Sequence, residues 1–159
     1  MLRIALAVAH LLALGIGMGA IYGRARAMNQ VGRVPDALRR AATADAWWGV
    51  AALLWLTTGL WRWLAGTEKA PAYYANNHVF YAKMGLFTLV FLLELWPMIT
   101  LIRWRRRLGA DGGAAFVAGD PAVATRARLI ARISDVQLLL LVAIVTAAVT
   151  MARGYGTRA

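Results

Sequence analysis

Residues 80–102 read FYAKMGLFTLVFLLELWPMITLI. A helix rises 1.5 Å per residue, so about 20 apolar residues cross a hydrocarbon core of roughly 30 Å. The run therefore reads as a membrane-spanning helix. Two ionisable residues, Lys83 and Glu94, interrupt it. Eleven positions is close to three turns, which puts both side chains on one face. They stand about 16 Å apart along the axis and cannot pair directly. Charged groups at such depth are costly, rare and usually functional.

Three further runs of similar character lie around this one. They are Ile4–Tyr22 with no formal charge, Trp47–Leu64 with Arg62 near its end, and Ile133–Met151 with Asp135 near its start. The expected spans are about 4–22, 46–64, 79–102 and 133–152, within a single transmembrane domain over 1–159. Single helices satisfy their own backbone in lipid, and segments of alternating polarity are absent. The fold class is thus all-α: an integral membrane four-helix bundle, antiparallel, with short links. Hydrophobic residues make up 61% of the chain, and there is no cysteine. That composition excludes disulfides, thiolate metal sites and cysteine nucleophiles.

The net charge is +11. Its distribution argues for topology rather than for nucleic-acid binding. Arg24, Arg26, Arg33, Arg39 and Arg40 follow the first run. Arg103, Arg105, Arg106, Arg107, Arg126, Arg128 and Arg132 follow the third. The positive-inside rule makes 23–45 and 103–132 cytoplasmic loops and places both termini in the periplasm of a bacterial inner membrane. The arginine clusters would meet anionic lipid headgroups. The weak n-region, with Arg3 alone, and the long apolar stretch read as an uncleaved span rather than a signal peptide.

Local signals mark several helix ends. Asn76 or Asn77 is placed to cap the third span, Asp120-Pro121 reads as a cap and first-turn pair, and Pro35-Asp36 reads as the start of a short amphipathic helix. Pro97 marks a kink one turn beyond Glu94. Gly15, Gly19 and Gly23 form a small-xxx-small stripe, a face for helix contact within the bundle or in a homo-oligomer or larger complex. Gly17 leaves a flat surface on the His10 face.

The intramembrane polar groups each carry two readings. His10 is either an imidazole hydrogen-bonded between helices, or a haem-iron ligand or proton carrier. From the expected topology it lies roughly 12 Å deep, while Lys83 lies roughly 5 Å and Glu94 roughly 20 Å from the outer surface. His10 and Lys83 thus share the outer half. Lys83 either snorkels or partners a cofactor. Glu94 either pairs with Arg103 or another inner arginine or, protonated, hydrogen-bonds to a neighbouring helix, or it relays protons. Asp135 reads as a helix-start or ion-pair residue. Trp55, mid-span and sharing a face with Trp48 and Arg62, is a packing residue or a stacking wall for a flat cofactor. His78 sits at the mouth of the third span, too far from His10 for a bis-histidine haem, and two histidines are too few for an ordinary zinc site.

Several stretches together carry a family resemblance. They are His10–Gly15, Tyr22–Ala27, Ala44–Gly49, Thr58–Arg62, Gly66–Lys69, Lys83-Met84 and Glu94–Met98. Across nearly its whole length the chain resembles a bacterial inner-membrane family known only as predicted membrane proteins of unknown function. More weakly it is similar to the group of membrane protoporphyrinogen oxidases and copper-resistance D proteins. That likeness implies haem b, with His10 and Lys83 at the matching positions. Here Glu94 stands in the helix where many of those relatives carry a second histidine.

The resulting expectation is a haem-b-type redox or porphyrin-related membrane protein. Its cofactor would lie between spans one and three, held by His10, Lys83 and Trp55, with Glu94 as proton relay. The alternative is a non-enzymatic membrane subunit or assembly factor.

Overall fold

A helix begins and ends where side chains or turns supply partners for its unpaired backbone groups. In the computed structural model, which describes residues 1–66, 71–110 and 120–156, this yields four long helices and one short one. They are α1 (Leu2–Met28), α2 (Ala37–Leu64), α3 (Pro71–Ala75), α4 (His78–Ala110) and α5 (Pro121–Ala152). No β-strand occurs among the described residues. Asn77 Oδ1 accepts from the Phe80 N–H at 3.1 Å and caps α4. Asp120 Oδ1 accepts from the Ala122 N–H at 2.8 Å and caps α5, with Pro121 at its first position. Both caps stand where the sequence signals them.

Two boundaries differ from expectation. Pro35-Asp36 does precede a helix, but that helix is not short: α2 runs unbroken to Leu64. Residues 37–46 contain no proline or glycine to stop it. Helix α1 likewise continues past Tyr22 to Met28, and a turn with Gly32 at φ 85° leads into α2. Most of the segment expected as a first loop is therefore helical, and Asp45 lies inside α2. Asp135 is not near a helix start either, since α5 begins at Pro121. It is exposed on mid-helix and forms no ion pair among the described residues.

Helices α1 and α2 run antiparallel in the most extensive contact of the molecule. His10 meets Thr58, Gly17 meets Trp48 and Gly23 meets Ala44. A Cβ on Gly17 would stand 2.9 Å from Trp48 Cζ3, so the flat surface there is taken by the buried Trp48 indole. Helix α1 also packs on α5, and α5 on α4, whereas α2 and α4 scarcely touch. The in-chain contact face of α1 is Ala13, Gly17, Ile21, Arg24 and Met28. The Gly15/Gly19 stripe faces outward, with nothing within 4 Å of either position.

Two apolar clusters fill the interior. One, at the arginine-rich end, joins Met28, Leu38, Leu101, Trp104, Ala127 and Ile130. The other, in the middle, joins Ala13, Ile21, Trp48, Trp55, Val90, Leu141 and Ile144. The outer surface is apolar as well: Ile4, Leu11, Leu53, Phe91 and Leu139 are exposed. Within lipid such a surface has no reason to hide, so packing and polar contacts must hold the helices together.

Three helices are long and apolar enough to cross a membrane: α1, the His78–Arg107 part of α4, and α5. Helix α2 is not among them, which differs from the four expected spans. Its five tryptophans and Arg62 depress its hydropathy, although Val50, Leu53, Leu54, Leu56 and Leu60 expose an apolar flank.

At the opposite end from the arginines, the C-terminal turn closes on α3 and the start of α4. Tyr73 donates its hydroxyl to Met151 O at 2.8 Å, Asn77 Nδ2 donates to Tyr155 O at 3.1 Å, and the His78 N–H donates to Gly156 O at 2.9 Å. Gly156 adopts φ 88°, and a Cβ there would fall 2.5 Å from Val79 Cγ2.

Candidate functional site

The apolar interior is broken at one level by polar side chains from all four long helices. Arg24 of α1 is wholly buried and sits between the two clusters. Its Nε donates to Ser134 Oγ at 3.0 Å. One terminal nitrogen donates to Asp45 Oδ1 at 2.7 Å and to Glu94 Oε1 at 2.5 Å. The other donates to Glu94 Oε2 and Gln137 Oε1, each at 2.8 Å. A guanidinium has five N–H groups, and here all five are used. Gln137 Nε2 in turn donates to Glu94 Oε2 at 2.8 Å and Val90 O at 3.2 Å, and Ser134 donates to Ile130 O at 2.9 Å.

Glu94 pairs with an arginine of the inner clusters: not Arg103 but Arg24, from the segment expected as the first cytoplasmic loop. The other arginines of that end, Arg103 included, are exposed. Arg24 alone follows the buried face of α1. Bidentate pairing with a carboxylate suits the planar guanidinium, and removal from water is tolerable only with such compensation. Arg24, Asp45, Ser134 and Gln137 were missed as site residues. The available signal was spacing: Gly17, Ile21, Arg24 and Met28 share one helical face, and Ser134 and Gln137 lie three apart in an otherwise apolar stretch.

A second feature lies at the other end, where α2 and α4 part. A cavity of about 540 Å³ opens there, lined from α1 to α5 and including His10, Trp55, Arg62, Tyr74, Lys83 and Phe87. The three side chains expected to hold a cofactor, His10, Trp55 and Lys83, are thus brought to one cavity. His10 Nδ1 lies 2.9 Å from Thr58 Oγ1. The Thr58 hydroxyl also reaches Leu54 O at 2.6 Å and Trp55 O at 3.2 Å; with its hydrogen on either carbonyl, Nδ1 is the donor and Nε2 carries the ring's lone pair. The imidazole stands 5.7 Å from the Trp55 ring, which meets Phe87 edge-on at 5.6 Å. Gly59 makes room for the imidazole, since a Cβ there would come within 3.1 Å of His10 Cε1. Trp55 is buried, and its indole N–H has no hydrogen-bond partner among the described residues. His78 is exposed and lies outside this cavity. No three His, Cys, Asp or Glu side chains gather into a metal site among the described residues.

Long apolar helices, an apolar outer surface and polar groups turned inward define an α-helical membrane protein. The family comparison specifies it further: the chain belongs to the family described as "Predicted membrane protein (DUF2214)", whose profile matches residues 2–156. No curated protein and no solved structure matches the chain.

Proposed function

We propose that the protein is a multi-pass protein of the bacterial inner membrane in which α1, α2, α4 and α5 all cross the bilayer as an antiparallel bundle with periplasmic termini. Two observations favour a fourth span in α2: its apolar flank and its long contact with α1. Reporter fusions after Arg107 should then be cytoplasmic and fusions at the C-terminal end periplasmic. The opposite pattern would reverse the topology. On this reading the exposed arginines of the cytoplasmic end meet anionic headgroups.

The outer cavity is the functional site in this reading, and it binds a flat, largely apolar cofactor, with haem b as the candidate. The observation that carries it is the His10–Thr58 hydrogen bond. A ligating histidine characteristically donates its second ring N–H to an oxygen, which fixes the tautomer and aims the other nitrogen. The cavity volume lies in the range of small-molecule sites, roughly 300–1,000 Å³. The buried Trp55 N–H would gain an acceptor from a bound molecule. His10 would hold the iron, Trp55 would flank the ring and Lys83 would serve as second ligand or charge partner. Bound haem would supply one-electron redox chemistry. Glu94, at the other end, is the candidate proton relay.

The runner-up is a non-enzymatic membrane subunit or assembly factor, alone or as a homo-oligomer. The fully satisfied Arg24 network favours it, because such a network locks helices without needing chemistry. A visible spectrum of the detergent-purified protein, oxidised and then reduced, separates the two. A Soret band lost in His10→Ala supports the haem reading. A colourless, folded protein from haem-sufficient cells leaves the subunit reading.

A further inference from the structure

The buried network contains one guanidinium and two carboxylates, so if all three groups are charged it carries one uncompensated negative charge. Both apolar clusters press on it, one from each side. An unbalanced charge in such surroundings is expensive, and the usual resolution is for the group to neutralise. The two carboxylates are not equivalent. Glu94 uses both oxygens and accepts three hydrogen bonds, two from Arg24 and one from Gln137. Asp45 accepts one, through Oδ1, and its Oδ2, which reaches the surface of the bundle, accepts none among the described residues. Asp45 lies on the side of the network nearer the arginine-rich end, where the exposed Arg105 favours its charged form through space, the weakest of the influences on it.

We propose that the network is a proton-binding site, in which one proton is taken up on folding and held on Asp45, while Glu94 stays paired with Arg24 through both oxygens. The groups facing Asp45 are Arg24 from α1, and Glu94 and Arg105 from α4. From α5 the network receives Ser134 and Gln137, which do not titrate in this range. A neutral Asp45 still accepts from Arg24 through its carbonyl oxygen Oδ1, with the proton carried on Oδ2. The network is then neutral. This holds whether or not the outer cavity binds a cofactor.

The sign of the pH dependence follows. An unfolded aspartate ionises near pH 3.9, so above about pH 5 the folded chain binds one more proton than the unfolded chain. Stability then falls as pH rises, until Asp45 loses its proton in the fold as well. Thermal unfolding in detergent should show the wild-type unfolding equilibrium shifting by up to tenfold per pH unit relative to Asp45→Asn. Asp45→Asn should equal or exceed the wild type at the alkaline end. The infrared spectrum of the wild type at neutral pH should show a protonated-carboxyl band that Asp45→Asn lacks. The proposal is overturned if that band is absent from the wild type or survives in Asp45→Asn. It is equally overturned if the two proteins keep a constant stability difference across the pH range.

Discussion

Arg24 shows how one side chain can be decisive and still pass unnoticed in a sequence. It stands two residues from Arg26 and close to a cluster of arginines, all of which are exposed. What sets it apart is phase: it falls on the helical face of Gly17 and Ile21, whereas Arg26 falls on the opposite side and lies over the Tyr22 ring at 5.0 Å. Charge counting along a chain cannot see phase, but a helical wheel can. Replacing Arg24 by methionine would leave the Glu94 carboxyl buried without its partner. The expected loss is about 3–5 kcal/mol, measured by denaturation in detergent. Arg24→Lys should recover little of it, because an ammonium lacks the fork that reaches Ser134, Asp45, Glu94 and Gln137 together. By contrast, spacing alone put Lys83 and Glu94 on one helix face, and one lines the cavity while the other joins the network.

At the scale of the helix, capping chemistry was readable because it is local. Asn77 and Asp120 do what side chains of their type do at a helix start, and exposed Asp120→Ala should cost about 0.5–2 kcal/mol at the α5 terminus. The glycines of α1 were less readable. A stripe repeating every fourth residue suggests a contact face, yet Gly15 and Gly19 look outward and the working glycine is Gly17. The choice is made by the partner, since only Gly17 faces an indole. Gly17→Ala should therefore lose about 1–3 kcal/mol from the clash with Trp48, while Gly19→Ala in the monomer should be close to neutral. Equal losses at both positions in the same thermal assay would contradict this packing. Helix α2 sits between these cases. Its apolar part was legible and its extension back to Ala37 was not, and tryptophan scores as mildly polar, which lowers the mean hydropathy of a helix whose Trp48 and Trp55 are buried in the core.

Across the whole molecule, the sequence conveyed four long helices and their antiparallel order, because run lengths and short links leave few alternatives. The polar layer was not conveyed, since it exists only once four helices are side by side. Arg24, Asp45, Glu94 and Ser134/Gln137 each lie between the residues that their own helix gives to the two apolar clusters. Sliding any helix by one turn would move its polar group about 5.4 Å, beyond hydrogen-bond reach. The layer thus fixes register where lipid-facing apolar side chains cannot. A consequence concerns how the chain is assembled. On the four-span reading, the first hairpin, α1 with α2, brings Asp45 against Arg24, so the guanidinium has an acidic neighbour before α4 and α5 arrive. The second brings Glu94 and Gln137, whose hydrogen bonds are completed only by docking onto the first. Two co-expressed fragments, severed between α2 and α3, should accordingly find one another in the membrane and co-purify. Arg24→Met in the first fragment should leave the second as an orphan open to degradation.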